Sequence, residues 1–537
     1  MKENGYRSHA IDLAWFAMAF GLCLAVGQAV LSGSSLLPFG DESVHLRKVF
    51  TLQEWVIDAD SWSEKLRLIA LSGDAYPNLH YGFTLPFLGD GPSIERARLA
   101  QVFLLAIHAG IGITVGRRVW GRPAALAYVA MVCFSPLILT FVQLYIVDFA
   151  LVAFVGASLL FGEASDGFRR PGFSAGFVLC AAAALLVKWT AIVWLFAPVM
   201  ACCFRAVMAS SADRPSRIRH AILLVGVAAS GIVAIVVFSG VNTSIGWRAD
   251  NLNGWLHLVV MGLGLFGGLA VVVSLARSPI HRCIASVIAV VMMAGPWYAA
   301  HFHFLLERLT HEATTDTQTL GVTSIAISKS VEALRLLVPG GELLVGLGVI
   351  AAIALRRLNL GPAVWMISAV AGSILTIAFL PHNFRYLLPV IPLLAGSIVM
   401  MWAGLSLRKQ WVLSAIVVGM VTILSSSGSL FSVPSQPLRY SWTTQRASIG
   451  PSIFPAGIGR IPAPLTNTEV SDWLGRLADT CEQSVCRGQL NEPVRFLQAR
   501  ALQAVAKTRG IDIQFGPPCT GTVLPLGTVS SSFTVCE

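Results

Sequence analysis

Long apolar blocks are the feature of this sequence that most limits how the chain can fold. Each block is about 18–25 residues long, which is the length an α-helix needs to cross roughly 30 Å of hydrocarbon. A soluble protein of 537 residues with 55% hydrophobic and 12% charged side chains could not bury so much apolar surface. The sequence therefore predicts an all-α integral membrane protein that crosses the bilayer many times.

Basic residues recur in every second connection between the apolar blocks. Examples are the pairs Arg117-Arg118, Arg169-Arg170 and Arg356-Arg357. Because connections rich in Lys and Arg stay on the cytoplasmic side, the alternation predicts about thirteen spans and a cytoplasmic N-terminus. The net charge of +10 belongs largely to these connections. We therefore expect a protein of the cell inner membrane, in contact with lipids, and no nucleic-acid partner.

Composition divides the chain into two predicted domains. Residues 1–431 carry the apolar blocks and have long outer segments at 33–98 and 300–339. In the first outer segment, the stretch Trp62–Leu71 is amphipathic and predicts a helix that lies along the membrane surface. Residues 432–537 are richer in Pro, Ser, Gly and Thr and mix helix-like and strand-like patterns. An odd number of spans would place this small α+β domain on the outer, periplasmic side.

The ten cysteines fall into two groups that agree with this topology. Six lie within or beside apolar blocks, and we expect them to be buried thiols. The other four lie in the C-terminal domain, where export would favour two disulfides with three possible pairings. These four are Cys481, Cys486, Cys519 and Cys536.

Ionisable residues at the ends of apolar blocks are the candidate functional residues, because charge at membrane depth is expensive and usually functional. The predicted topology brings four such places to the outer face. They are Asp41-Glu42, Asp148, Lys188, and Arg385 with its neighbours His382 and Tyr386. The carboxylates could act as a general base or bind a cation, and the basic side chains suit phosphate oxygens. Helix capping of the acids and interface anchoring of the bases are the structural alternatives.

Lys188 interrupts a long apolar stretch between residues 173 and 204. This stretch is either one kinked helix or two short helices that meet at Lys188-Trp189-Thr190. We favour two helices, because the basic connections on both sides are then cytoplasmic.

Short motifs in this order resemble those of the GT-C glycosyltransferases that use polyprenyl-phosphate sugars. This superfamily includes the protein O-mannosyltransferases and the bacterial aminoarabinose (lipid A) transferases. The resemblance covers residues from about 11 to 405. Its motifs are Asp41-Glu42, Tyr76-Pro77-Asn78-Leu79-His80-Tyr81, Asp148, Leu186-Val187-Lys188-Trp189, Gly295-Pro296-Trp297-Tyr298, and Arg385-Tyr386 with the six residues that follow.

The resemblance implies a GT-C-type bundle with juxtamembrane helices on its outer face. It also implies a cell-envelope glycosyltransferase that moves a hexose or pentose from a polyprenyl-phosphate donor to a lipid, glycan or protein acceptor by inverting displacement. Asp41 would be the base with Glu42 beside it, Asp148 a second essential acid, and Lys188 and Arg385 the contacts of the donor phosphate. Further pocket candidates are His45, Tyr76, His80, Tyr81, Trp297, Tyr298, His382 and Tyr386.

Two departures from the family pattern bear on the substrate. Tyr76-Pro77-Asn78 stands where the family has Lys-Pro-Pro, so a basic contact to the donor is missing from this motif. His45 replaces a tyrosine, and the resulting Asp-Glu-Ser-Val-His pattern is similar to that of the dolichyl-phosphate-glucose α-1,2-glucosyltransferases. The donor sugar and a divalent metal near Asp41, Glu42 and His45 therefore stay open.

Two other classes of function are compatible with a multi-pass membrane protein. A transporter or flippase for a lipid-linked or anionic substrate would place charges near the bilayer midplane and be built from repeated halves. A non-catalytic scaffold that presents the C-terminal domain would tolerate the loss of Lys188 or Arg385. The charged sites of this chain cluster at span ends instead, which favours the transferase.

Overall fold

The structure is a computed structural model. It describes residues 2–32, 41–72, 76–210, 252–317 and 388–427, four strands between residues 485 and 536, and residues 365, 369, 372 and 506. Predicted spans that fall within 211–251 and 318–387 lie outside these residues. So do His382, Arg385 and Tyr386.

The described part of the membrane domain is helical throughout. Its helices are α1 (Lys2–Ser32), α2 (Asp41–Asp58), α3 (Trp62–Leu71), α4 (Leu79–Leu88), α5 (Ile94–Trp120), α6 (Arg122–Cys133), α7 (Pro136–Phe141), α8 (Val147–Ala164), α9 (Pro171–Val187), α10 (Ala191–Ser210), α11 (Leu252–Gly262), α12 (Pro279–Thr317), α13 (Val390–Trp402) and α14 (Leu407–Ser427). Two π-helical segments, Leu263–Gly268 and Val271–Leu275, extend α11.

Among the described residues, six helices are long and apolar enough to cross a membrane. They are Ala10–Ser32, Ile94–Trp120, Val147–Ala164, Ala191–Ala209, His257–Leu275 and Pro279–His301. Three shorter apolar helices accompany them, namely Arg122–Cys133, Pro171–Val187 and Val390–Trp402. The prediction of a multi-pass helical protein is therefore confirmed, and the total of about thirteen spans stays a prediction.

Helix α8 lies at the centre of the bundle, because 83% of its span is buried, compared with 17% in α1. It packs against α5, α9 and α13. Gly156 permits the close approach to α5, since a Cβ atom there would lie only 2.5 Å from His108 Cε1. The first turn of α8 carries Asp148, which therefore lies inside the protein and away from lipid.

The predicted third span, Pro123–Phe141, is two helices, α6 and α7, where the sequence indicated one. The break falls at Phe134 and Ser135, immediately before Pro136. Proline lacks the N–H group that an α-helix needs, and it disfavours the α conformation in the residue before it. This local restriction breaks the helix before Pro136, although the apolar composition of the stretch predicts one continuous span.

Helices α9 and α10 form a hairpin, which confirms the two-helix interpretation of this stretch. Arg205 near the end of α10 donates two hydrogen bonds to Glu163 near the end of α8, at 2.9 and 2.5 Å. The next connection also lies close to Arg205, since a Cβ atom at Gly167 would be 3.2 Å from Arg205 Cβ. Because α9 starts just beyond this connection, α10 has returned to the side from which α9 departed. Lys188 lies at the turn, and we call this end of the helices the Lys188 end of the bundle.

Helix α12 begins at the opposite end, where Arg282 donates to the carbonyl oxygens of Phe168 and Arg169 at 2.6 and 2.9 Å. It runs on to Thr317, so the first part of the predicted outer segment 300–339 is helical rather than loop. Residues 297–317 contain neither glycine nor proline, and nothing in this stretch ends the helix early.

The short helices α2, α3 and α4 occupy the first predicted outer segment. α3 has the predicted bounds Trp62–Leu71, and Ser61 caps it by accepting a hydrogen bond from the backbone N–H of Glu64 at 3.2 Å. Trp62 is 82% exposed and Leu66 is also exposed. Such apolar side chains on an amphipathic helix suit the interface between lipid and water.

The described part of the C-terminal domain is a four-stranded sheet with the order β2-β1-β4-β3. The strands are β1 (Val485–Asn491), β2 (Asp512–Phe515), β3 (Gly521–Pro525) and β4 (Ser532–Cys536). β1 and β2 are parallel, and the other pairs are antiparallel. β3 and most of β4 lie within the stretch from Phe515 to Val535, where the sequence predicts strands, whereas the predicted helices of this domain lie outside the described residues.

The structure describes the side chains of six of the ten cysteines, all of them in the predicted membrane domain. The six in the membrane domain are thiols, of which five are buried and Cys180 is partly buried. In the C-terminal domain, Cys486 belongs to β1 and Cys536 to β4, but their side chains lie outside the described part, as do Cys481 and Cys519. The two disulfides stay a prediction.

Candidate active site

The turn between α9 and α10 places Lys188 at the end of an apolar helix. α9 stops at Val187 because Lys188 takes an extended backbone conformation, with φ −158° and ψ 135°. Its backbone N–H still donates to the carbonyl oxygen of Ala184 at 3.1 Å. The chain then enters α10 at Ala191, and the Lys188 side chain points into the protein, where it is 1% exposed.

Lys188 and Asp148 form a buried ion pair. The distance from Lys188 Nζ to Asp148 Oδ1 is 2.5 Å, and each side chain is 1% exposed. The sequence predicted these residues as two separate sites on one face, and the structure brings them into direct contact. Removing two charges from water costs several kcal/mol per ion, and a close pairing offsets this cost only in part. Buried charge at the end of a membrane helix therefore indicates a functional site more than a stabilising one.

A second buried ion pair joins Glu42 on α2 to Arg98 on α5. Arg98 Nε and Nη2 donate to the two carboxylate oxygens of Glu42 at 2.8 and 3.0 Å. The backbone N–H of Tyr145 donates to Glu42 Oε1 at 2.8 Å as well. Both oxygens of Glu42 are thus engaged within the protein, and they fix the first turn of α2 to the rest of the bundle.

The two hydrogen bonds from Arg98 to Glu42 are expected to stabilise the fold, and a substitution can test this role. In Arg98→Lys, a single ammonium replaces the planar fork and cannot make two parallel bonds, so we expect the free energy of unfolding to fall by about 1–3 kcal/mol. The measurement is the thermal unfolding of the purified protein in detergent. Arg169→Lys is the control, because Arg169 and Asp166 form an exposed pair and we expect no change there. Equal stability of the two variants would contradict this role.

Aromatic and imidazole rings pack together where α2, α4 and the start of α8 meet. His45 Nδ1 lies 2.7 Å from the Tyr81 hydroxyl, and the His45 ring lies 5.5 Å from the ring of Tyr76. His80 stacks on Tyr145 with a centroid distance of 4.7 Å. Four of the predicted pocket residues, His45, Tyr76, His80 and Tyr81, are therefore neighbours in the structure.

Two ammonium groups flank the Tyr76 ring. Lys188 Nζ lies 5.4 Å from the ring centroid, and Lys48 Nζ lies 5.6 Å from it. Such distances allow cation–π attraction. Lys48 comes from α2, so a basic side chain from a different helix lies beside the Tyr76-Pro77-Asn78 motif.

The two histidines of this cluster are neutral at physiological pH. They lie on α2 and α4, outside the candidate spans. Burial lowers the pKa of His45 well below its usual value, and His80, Lys188 and Lys48 lower it further. Burial lowers the pKa of His80 to about 3. Neither ring adds positive charge to the site.

Trp297 and Tyr298 of α12 also lie at the Lys188 end. The Tyr298 hydroxyl donates to the carbonyl oxygen of Leu185 in α9 at 2.8 Å. Trp297 packs against Leu186 and stacks on His301 with a centroid distance of 4.4 Å. These two predicted pocket residues therefore support the last turn of α9, whose next residue is Lys188.

Other predicted site residues lie beyond what the structure describes. Asp41 begins α2, but its side chain lies outside the described part, as do Arg385, His382 and Tyr386 in full. The described residues contain no group of three or more His, Cys, Asp or Glu side chains that could hold a metal ion. Glu42 accepts hydrogen bonds from Arg98 and from the backbone N–H of Tyr145.

Sequence reasoning missed Arg98, Lys48 and Tyr145 as site residues. Arg98 had a signal, because it is a charged residue in the second turn of the apolar helix Ile94–Trp120. Lys48 follows Glu42 by six positions on α2, which places it within two helical turns. Tyr145 contributes its backbone N–H to Glu42, so its side-chain type carries no signal for that role.

Comparison with known proteins gives two structural similarities. No protein-family model matches the chain, and no curated protein matches it. The crystal structure of ArnT from Cupriavidus metallidurans bound to undecaprenyl phosphate is 17% identical with a TM-score of 0.43, covering 77% of this chain and 64% of that one. The apo structure of ArnT is 18% identical with a TM-score of 0.30, covering 79% and 82%.

The chain thus spans less than two thirds of the length of the first ArnT structure. Neither TM-score reaches 0.5. The chain is similar in structure to ArnT over 77% of its length.

Proposed function

We propose that this protein is a membrane glycosyltransferase that moves a sugar from a polyprenyl-phosphate donor to a lipid, glycan or protein acceptor on the outer face of the membrane. The observation that carries the proposal is the buried pair of Asp148 and Lys188 at the ends of two membrane helices. An ammonium in a water-poor site at the membrane edge suits the phosphate of a lipid whose tail stays in the bilayer.

The reaction is a single displacement with inversion at the anomeric carbon. Asp41 accepts the proton of the acceptor hydroxyl or amine, and the acceptor atom forms a bond to the anomeric carbon. The bond from that carbon to the phosphate oxygen breaks, and its electron pair leaves with the polyprenyl phosphate. Lys188, together with Arg385, stabilises the negative charge of the leaving phosphate, a contribution that is often the largest one in catalysis.

Asp148 and Glu42 have different roles in this proposal. Asp148 holds the Lys188 ammonium in place and supports the positive charge that develops on the sugar ring. Glu42 is a positioning residue, because its oxygens bind Arg98 and the Tyr145 backbone and so fix the helix turn that contains Asp41.

The position of the charges supports transfer over transport. A transporter is expected to bind its substrate near the bilayer midplane. Asp148 lies in the first turn of α8, and Lys188 follows the last residue of α9, so both occupy helix ends. The aromatic rings around them offer faces on which a sugar can pack.

The first test of this proposal uses the purified full-length protein in lipid vesicles. Undecaprenyl phosphate, the ligand in the similar ArnT structure, serves as the binding probe in native mass spectrometry. Radiolabelled sugars linked to polyprenyl phosphate are then supplied with membrane extracts as the source of acceptor. We expect covalent transfer with inverted anomeric configuration. Movement of the lipid-linked sugar across the vesicle membrane without covalent transfer would identify a transporter and contradict the proposal.

A further inference from the structure

His80 is a buried imidazole whose hydrogen-bonding capacity is unused within the described part of the chain. Its residue exposure is 1%, and neither Nδ1 nor Nε2 has a hydrogen-bond partner there. The other two buried histidines of this region behave differently. His45 Nδ1 pairs with the Tyr81 hydroxyl, and both ring nitrogens of His108 are bonded, to the Ala153 carbonyl oxygen and to the Tyr128 hydroxyl.

Buried polar groups without partners are rare in folded proteins, and each one calls for an explanation, such as a catalytic role or a bound partner. The surroundings of His80 connect it to the site already described. Its ring stacks on Tyr145, whose backbone N–H donates to Glu42 and whose hydroxyl donates to Thr84. Its chain neighbour Tyr81 pairs with His45.

The charge state of His80 limits the ligand that it suits. Burial lowers its pKa to about 3, so the ring is neutral at physiological pH and offers one donor and one acceptor. A neutral imidazole gains little from a phosphate, which prefers cations. A sugar hydroxyl can both donate and accept a hydrogen bond, and a sugar ring packs well between aromatic side chains.

We propose that His80 is a sugar-binding residue whose ring nitrogens hydrogen-bond hydroxyl groups of the donor's sugar, with Tyr81 and Tyr145 as its aromatic flanks. This inference rests on the proposed function and adds the sugar subsite to it. In this assignment, Lys188 and Lys48, which lie near the Tyr76 ring, suit the phosphate, whereas the uncharged rings of His80 and Tyr145 suit the sugar.

The test compares His80→Phe with His108→Phe. His80→Phe keeps the ring and its stacking on Tyr145 but removes two unsatisfied polar atoms, so we expect an unchanged or higher thermal midpoint. We also expect the KM for the sugar donor to rise about 10- to 100-fold, because one or two substrate hydrogen bonds are lost. His108→Phe breaks two satisfied bonds within the bundle, and we expect it to lower the thermal midpoint.

Two further measurements separate the sugar from the phosphate and from the fold. Undecaprenyl phosphate carries no sugar, so its binding to His80→Phe is expected to match the wild type. His80→Gln keeps a donor and an acceptor, and we expect it to recover part of the KM. Wild-type KM in His80→Phe would overturn the inference, as would a lower thermal midpoint together with lost transfer that His80→Gln does not recover. If the wild type transferred no sugar at all, the proposed function itself would fail, and this inference with it.

Discussion

The double variant Asp148→Asn, Lys188→Met is expected to unfold at nearly the wild-type temperature and yet to lose about 10²–10³-fold in sugar transfer. Replacing both members of a buried ion pair leaves no uncompensated charge and is often neutral for stability. The leaving phosphate, however, would lose the proposed contact with Lys188, and removal of one such electrostatic contact typically costs this much in rate. Thermal unfolding in detergent and transfer of radiolabelled sugar measure the two effects separately.

The single variants are less informative than the double variant. In Lys188→Met, the Asp148 carboxylate keeps its buried position without the ammonium that lies 2.5 Å from it. Breaking a buried pair in this way typically destabilises a protein by about 3–5 kcal/mol. A loss of transfer in the single variant would therefore mix unfolding with chemistry.

Helix α8 supplies a matched control for this experiment. Glu163 lies near its other end and binds Arg205 of α10 through two hydrogen bonds. We expect the double variant Glu163→Gln, Arg205→Met to keep normal transfer per folded molecule, because this pair lies far from the Lys188 end. Equal losses in the two double variants, or normal transfer in the Asp148 and Lys188 variant, would contradict the proposed role of the site.

Asp41→Asn is the second variant for which we expect a large effect. Asparagine has nearly the same shape as aspartate but cannot accept the acceptor's proton, so transfer should fall by about 10²–10⁴-fold. Glu42 cannot take over as the base, since Arg98 and the Tyr145 backbone already engage its oxygens. We expect binding of undecaprenyl phosphate to stay close to that of the wild type.

The control for Asp41→Asn comes from the same helix. Asp58 is the last residue of α2 and is exposed, so Asp58→Asn removes the same charge without touching the site. We expect this variant to transfer sugar normally. Near-normal transfer by Asp41→Asn in vesicles supplied with donor would show that another group is the base.

Several parts of this architecture could be predicted from local sequence. The amphipathic pattern predicts α3 with the observed bounds, and the lysine inside an apolar stretch predicts the hairpin turn at Lys188. Both features depend on residues that are close in the chain. The break before Pro136 also has a local cause, the proline itself. The sequence nevertheless indicated one span there, because the whole stretch is apolar.

The pairings of the site could not be predicted in the same way. Glu42 and Arg98 are 56 positions apart, and Asp148 and Lys188 are 40 apart. Topology predicts that Asp148 and Lys188 share a face of the membrane, but it gives no distance between them. The unused nitrogens of His80 are a property of the packed structure, because only the surroundings decide whether a buried ring is bonded.

The ion pair between Glu42 and Arg98 also has a consequence for how this protein can evolve. The pair joins two residues that are 56 positions apart. The segment between them, which contains α2, α3 and α4, is therefore held to the bundle at both of its ends. The entropy of closing such a loop changes slowly with its length. Insertions between α2 and α3, at residues 59–61, would therefore leave the start of α2 in place. Related chains could therefore vary this segment while the residue at the start of α2, Asp41, keeps its position.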